Sequence, residues 1–189
     1  MDIITTKIVD FISKTNPEFT DLELKKMKYG LICFFNEITK LIPYYILFNL
    51  FGLQWYFLVA IIFFSSLRLF IGGYHAKTYW GCFFFSLVLL CIIVFAGITI
   101  KMNFISIAIL LLISYILIYI FAPVDNVNKR ILSKERYMRL KYISIMIIAL
   151  LSLLCLIIPD RYKVTAILSI AAAIIMMLAG KLDNIRIHQ

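Results

Sequence analysis

Residues 57–98 read FLVAIIFFSSL from Phe57, RLFIGGYHAKTYWGC from Arg68, and FFFSLVLLCIIVFAGI from Phe83. The two outer blocks are nearly unbroken hydrocarbon, and the middle one is an island of chemistry between them. It holds Arg68, three glycines, His75 (one of two histidines in the chain) and Cys82. The apolar blocks belong to runs of roughly 17 to 20 residues, the length that crosses a bilayer as helix. Gly72-Gly73 reads as the stop of the first of these helices, since glycine commonly follows a helix end. The pattern is two membrane helices joined by a polar segment that breaks, or re-enters the bilayer, around residues 71–82.

The rest of the chain extends that reading. Hydrophobic residues make up 63% of its 189 positions, and the mean hydropathy is +0.99. A soluble domain, with about 45–50% apolar residues, could not hide so much. The fold class expected is an all-α integral membrane protein with about six transmembrane helices and an N-terminal amphipathic helix. No secretory signal peptide is expected, because the first 15 residues lack an unbroken apolar core.

Residues 3–14 place Ile4, Ile8, Phe11 and Ile12 at helical spacing, with Asp2, Lys7, Asp10 and Lys14 elsewhere. This helix either lies on the membrane surface or packs on the protein's own core. Asn16-Pro17 ends it, because a residue before proline avoids the helical region. Thr20-Asp21-Leu22-Glu23 is a capping box that starts the next helix. That helix enters the bilayer near Tyr29 and runs to Phe51 with Glu37 and Lys40 inside it. An isolated charge at that depth costs about 3 kcal/mol even on lenient scales. Three residues apart, the two can neutralise each other or take part in a site.

The later spans are expected over Trp55–Phe70, Cys82–Ile100, Phe104–Phe121, Tyr142–Ile158 and Val164–Leu178. A long polar connection covers 122–141, and Gly180 is expected to end the last span. One membrane domain over 1–189 is the simplest organisation: a surface helix to 16, a bundle over 20–180 and a polar tail from 181.

The net charge of +9 does not imply nucleic acid, because of where the cations fall. With the N-terminus cytoplasmic, fifteen Lys and Arg lie on the inner side and only Lys101, Arg161 and Lys163 on the outer. The positive-inside rule accounts for that bias. Both termini and the island are therefore expected in the cytoplasm, where thiols stay reduced. No cofactor is expected. No metal is expected either, since two distant histidines and no CxxC pair supply no cluster.

A cysteine attacks as its thiolate, and apolar surroundings disfavour that anion. Two features oppose the penalty. Cys82 follows Gly81 at a helix start, where the dipole favours negative charge, and His75 can act as base and then as acid. In continuous helix the two would stand about 10.5 Å apart along the axis, whereas nucleophile and base must come within about 3 Å. Residues 76–81 must therefore bend back, which the neighbouring glycines permit. Cys33, Cys91 and Cys155 lie in apolar runs and read as packing. Asp125, Glu37 and Ser66 are candidates to orient His75, and nothing chooses among them. Lys40 is a structural or orienting candidate beside Glu37.

The run Arg68-x-x-x-Gly72-Gly73-x-His75-Ala76, with Cys82 seven residues after the histidine, resembles the accessory gene regulator protein B (AgrB) family of Gram-positive bacteria. Length, six spans, basic loops and Ala122-Pro123 with Lys129 extend the resemblance over most of the chain. Two positions depart from the family's pattern: Arg130 stands where proline is expected, and Ile32 where a polar side chain is expected. The resemblance implies a cysteine endopeptidase of the bacterial cell membrane that processes an AgrD-like signal-peptide precursor for quorum sensing. Cys82 would form an acyl-thioester, His75 would handle protons, and a Cys or Ser of the peptide would close a thiolactone or lactone. Arg68, Gly73, Lys129 and Arg130 are the expected substrate-binding residues, the basic ones as docks for an acidic tail or a carboxylate. The expected partners are that precursor, the lipid bilayer and, by analogy, a second copy in a homodimer, with no nucleic acid. Two rival readings are a protease releasing linear peptides and a non-enzymatic peptide exporter or membrane scaffold.

Overall fold

A computed structural model describes residues 2–16, 18–74, 76, 78–124 and 133–187. Every regular element among them is α-helical, and six of the seven helices are long and apolar enough to cross a membrane. The protein is an all-α, multi-pass membrane protein. The chain divides into two compact units, Met1–Gly52 and Leu53–Gln189.

The first unit holds α1 (Asp2–Thr15) and α2 (Asp21–Leu50), which pack on one another. In α1, Thr5 and Val9 are buried while Ile3, Ile4 and Phe11 remain exposed. The helix thus keeps an apolar stripe outward while a narrower face is covered. The capping box is complete: the Thr20 hydroxyl accepts from the Glu23 N–H, and Glu23 Oε2 accepts from the Thr20 N–H at 2.9 Å. Two orphan amides of the helix start are thereby satisfied. Lys40 Nζ stands 2.5 Å from Glu37 Oε1, one turn along α2.

The second unit holds α3 (Gln54–Ile71), α4 (Tyr79–Thr99), α5 (Phe104–Phe121), α6 (Lys134–Ile157) and α7 (Asp160–Ile187). Helix α7 is its axis. Two-thirds (67%) of its span is buried, against at most 28% for the other four, and it packs on each of them. The core forms around Ala166, Ile167, Ile170, Ala173, Ile174 and Met177 of α7, with Phe63, Leu67 and Ile71 of α3 and Ile148, Leu151 and Cys155 of α6. Between helices in lipid, association rests on close packing, which small residues permit. Gly97 of α4 shows this: a methyl group there would run into the Thr165 side chain of α7.

The helices differ from the expected spans mainly at their ends. Helix α4 begins at Tyr79, three residues before Cys82, and α6 begins at Lys134, well inside the long polar connection. Helix α7 does not stop at Gly180 but continues to Ile187. Glycine weakens a helix without obliging it to end. At this position packing supplies the reason for its presence.

Candidate functional site

The island begins in the last turn of α3, at Arg68. Gly72 caps α3 at φ 74°, ψ −156°, and Gly73 follows at φ 128°, conformations that L side chains rarely adopt. The turn carries the chain into a seam between two other parts of the unit. On one side the Val124 N–H donates to the Ile71 carbonyl at 2.8 Å, and Gly72 pairs with Val124 as an isolated parallel bridge. On the other side the Tyr74 N–H donates to the Met176 carbonyl of α7 at 2.9 Å. The segment between α3 and α4 is thus tied by backbone bonds to the chain after α5 and to the central helix.

Each glycine of the seam is required by contact. A Cβ on Gly72 would meet the Val124 carbonyl oxygen. One on Gly73 would stand 2.5 Å from Met176 O and 2.9 Å from Arg68 Nη1. From the opposite wall, a Cβ on Gly180 would lie 2.5 Å from both Gly73 C and Tyr74 N. Arg68 Nη2 donates to the Tyr74 carbonyl, and its guanidinium also sits over the Phe64 ring at 5.8 Å. Arg68, the candidate for a substrate carboxylate, is therefore engaged with the backbone one residue before His75 in the chain.

Helix α4 presents the cysteine. Thr78 is its N-cap and accepts from the Gly81 N–H at 3.1 Å; a methyl at Gly81 would crowd that hydroxyl at 2.8 Å. Cys82 is the fourth helical residue, with its N–H on the Thr78 carbonyl at 3.0 Å. The reduced, half-buried thiol has Ser86 Oγ 4.0 Å from Sγ. Tyr79, Trp80, Phe83 and Phe84, in the same first turns of α4, form a string of ring contacts with one another, and Trp80 and Phe84 are largely exposed. The Tyr74 ring reaches the Phe85 ring at 6.4 Å between centroids, tying the seam to α4 one turn past Cys82.

The other expected site residues fall in three places. Gly73, Arg68 and half-buried Ser66 lie on or just after α3. Glu37 and Lys40 pair with each other in the first unit. His75, Asp125, Lys129 and Arg130 lie outside the described residues. Beyond the last two, Ser133, Glu135, Arg136, Arg139, Leu140 and Ile143 line an open groove of about 520 Å³ at the start of α6. Sequence reasoning missed Val124, Met176 and Gly180, the walls of the seam. Gly180 carried the one available signal: a glycine inside an otherwise helical pattern, which often marks a packing requirement.

A family model described as AgrB, Accessory gene regulator B, matches residues 5–179. A curated Clostridium beijerinckii protein described as AgrB-like is 25% identical over 143 residues, covering 75% of this chain and 72% of that protein. No solved structure gives a significant match.

Proposed function

We propose, from the premise that this chain belongs to the accessory gene regulator B family, that it is a membrane cysteine endopeptidase which cleaves and cyclises a signal-peptide precursor. Membership supports a role in the accessory gene regulator system. The single observation that carries the finer reading is the setting of Cys82: a half-buried thiol in the first turns of α4, the helix whose Phe85 ring meets the Tyr74 ring of the tethered segment that leads into His75.

In this reading Cys82 gives its proton to His75, and Sγ attacks the carbonyl carbon on the C-terminal side of the future signal. The tetrahedral intermediate collapses, the peptide C–N bond breaks, and His75 returns the proton to the leaving amine. The signal is left as an acyl-thioester on Cys82. A thiol or hydroxyl inside the peptide then attacks that carbonyl, giving up its proton through His75 to the departing Cys82 sulfur. The ring closes and the enzyme is restored. Water attacking at the same point would release a linear peptide, so a site that excludes water favours the ring.

Arg68 acts in this scheme by holding the Tyr74 carbonyl, while Lys129, Arg130 and the groove lined by Arg136 and Arg139 offer positive charge to an acidic tail. The catalytic face is cytoplasmic by charge bias. The test is precursor processing in membranes by wild type and Cys82→Ala. The expected result is loss of cleavage in the variant and, from wild type, a product lighter by one water than the linear peptide. Unchanged cleavage by Cys82→Ala refutes the reading and favours an exporter or scaffold. A product of linear mass supports simple hydrolysis.

A further inference from the structure

We propose that Gly180 is a positioning residue for the processing reaction: its bare Cα is a notch in α7 that seats the backbone of Gly73 and Tyr74. The inference deepens the reading above and rests on it. The family match ends at residue 179, so Gly180 enters from geometry alone.

Three observations converge on the notch. Helix α7 runs unbroken through Gly180 to Ile187, so the glycine is not there to end the helix. A Cβ at that position would stand 2.5 to 2.6 Å from Gly73 C, Tyr74 N and Gly73 Cα, all backbone atoms that cannot swing aside as a side chain would. One turn earlier on the same helix, the Met176 carbonyl accepts the Tyr74 N–H at 2.9 Å. A carbonyl has two lone pairs, so Met176 can hold this amide and still serve its own helix.

The notch and this bond act together. Without the notch the chain could not come close enough for the bond to form. With it, the Tyr74 peptide units are held on both sides, by Met176 on the N–H and by Arg68 on the carbonyl. The next residue in the chain is His75. Tyr74 also touches Phe85, on the helix that carries Cys82. Central helix, loop and cysteine helix are thereby registered against one another. A displacement of about 1 Å in such a constellation costs on the order of a hundredfold in rate.

The test is Gly180→Ala in the full-length protein in membranes, with Gly97→Ala as its partner. Each adds one methyl at a tight contact that involves α7, but Gly97 of α4 meets the Thr165 side chain, far along α7 from the seam. Gly180→Ala is expected to lower the processing rate at saturating precursor by about a hundredfold, with half-saturation unchanged. Gly97→Ala is expected to lower thermal stability while holding that rate within about threefold. Equal rate losses in the two variants, or a Gly180→Ala rate within threefold of wild type, overturn the inference. Hydrogen exchange on wild-type protein covers the case in which Gly180→Ala does not accumulate. The Tyr74 amide should be protected, and exchange at the speed of an open loop overturns the proposal. Full processing by Cys82→Ala would instead overturn the functional reading itself, a distinguishable result.

Discussion

Replacing Gly72 by alanine should destabilise the protein by about 2–4 kcal/mol. Gly72 sits at φ 74°, ψ −156°, a region essentially closed to residues with a Cβ. Forcing alanine there costs about 1–3 kcal/mol. The new methyl would also strike the Val124 carbonyl oxygen, so relief requires the 72–124 pairing to open. Opening it gives up the bond from the Val124 N–H to the Ile71 carbonyl, at about 1 kcal/mol. Ile71 and Val124 are both buried, so water cannot readily take over those groups. The assay is denaturant-induced loss of helical ellipticity for purified wild type and Gly72→Ala in micelles. Gly30→Ala is the control, since a Cβ at Gly30 meets nothing within 4 Å. That variant should be neutral or more stable by up to about 1 kcal/mol, from helix propensity alone. A Gly72→Ala change within about 0.5 kcal/mol of zero, the range of indifferent surface substitutions, would refute the reasoning about the seam.

Other outcomes follow from the same geometry. Thr20→Ala removes the hydroxyl that caps α2 and should cost about 1 kcal/mol of stability, measured by the same unfolding assay. Arg68→Lys keeps the charge but loses the planar fork. Processing should fall by about tenfold with the protein still membrane-inserted, because a point-charge ammonium holds the Tyr74 carbonyl less rigidly. Orientation can be read with a membrane-impermeant maleimide on intact cells and inverted vesicles. Met102→Cys should label from outside and Ser133→Cys only from within, and the reverse pattern would overturn the charge argument.

The capping box at Thr20 and the pairing of Glu37 with Lys40 were legible because both are local, set by side chains three residues apart on one helix. The apolar runs announced the spans for a similar reason: length and hydropathy decide what crosses a bilayer, whatever the neighbours. Gly72-Gly73 was legible as the end of α3, and its positive φ values agree. Gly180 was not. A glycine near a helix terminus looks the same in sequence whether it stops the helix or admits another chain, and only the contact with Gly73 and Tyr74 tells them apart. Cys82 was singled out as a candidate from its company in sequence, whereas Val124 and Met176 contribute backbone groups that any residue possesses.

What the sequence determined by itself is thus the membrane class, the helix count, the side bias of the cations and the island that carries Cys82. These depend on hydrophobicity, charge and short-range spacing, which are properties of the chain read in order. Only the tertiary structure decided that α7 is the axis of the larger unit and that the Gly-Gly turn is held between Val124 and Met176. Those bonds join residues about 50 and 100 positions apart, as 72 with 124 and 74 with 176. Backbone carbonyls and amides carry no side-chain signature, so their pairing is set by packing and not by residue type.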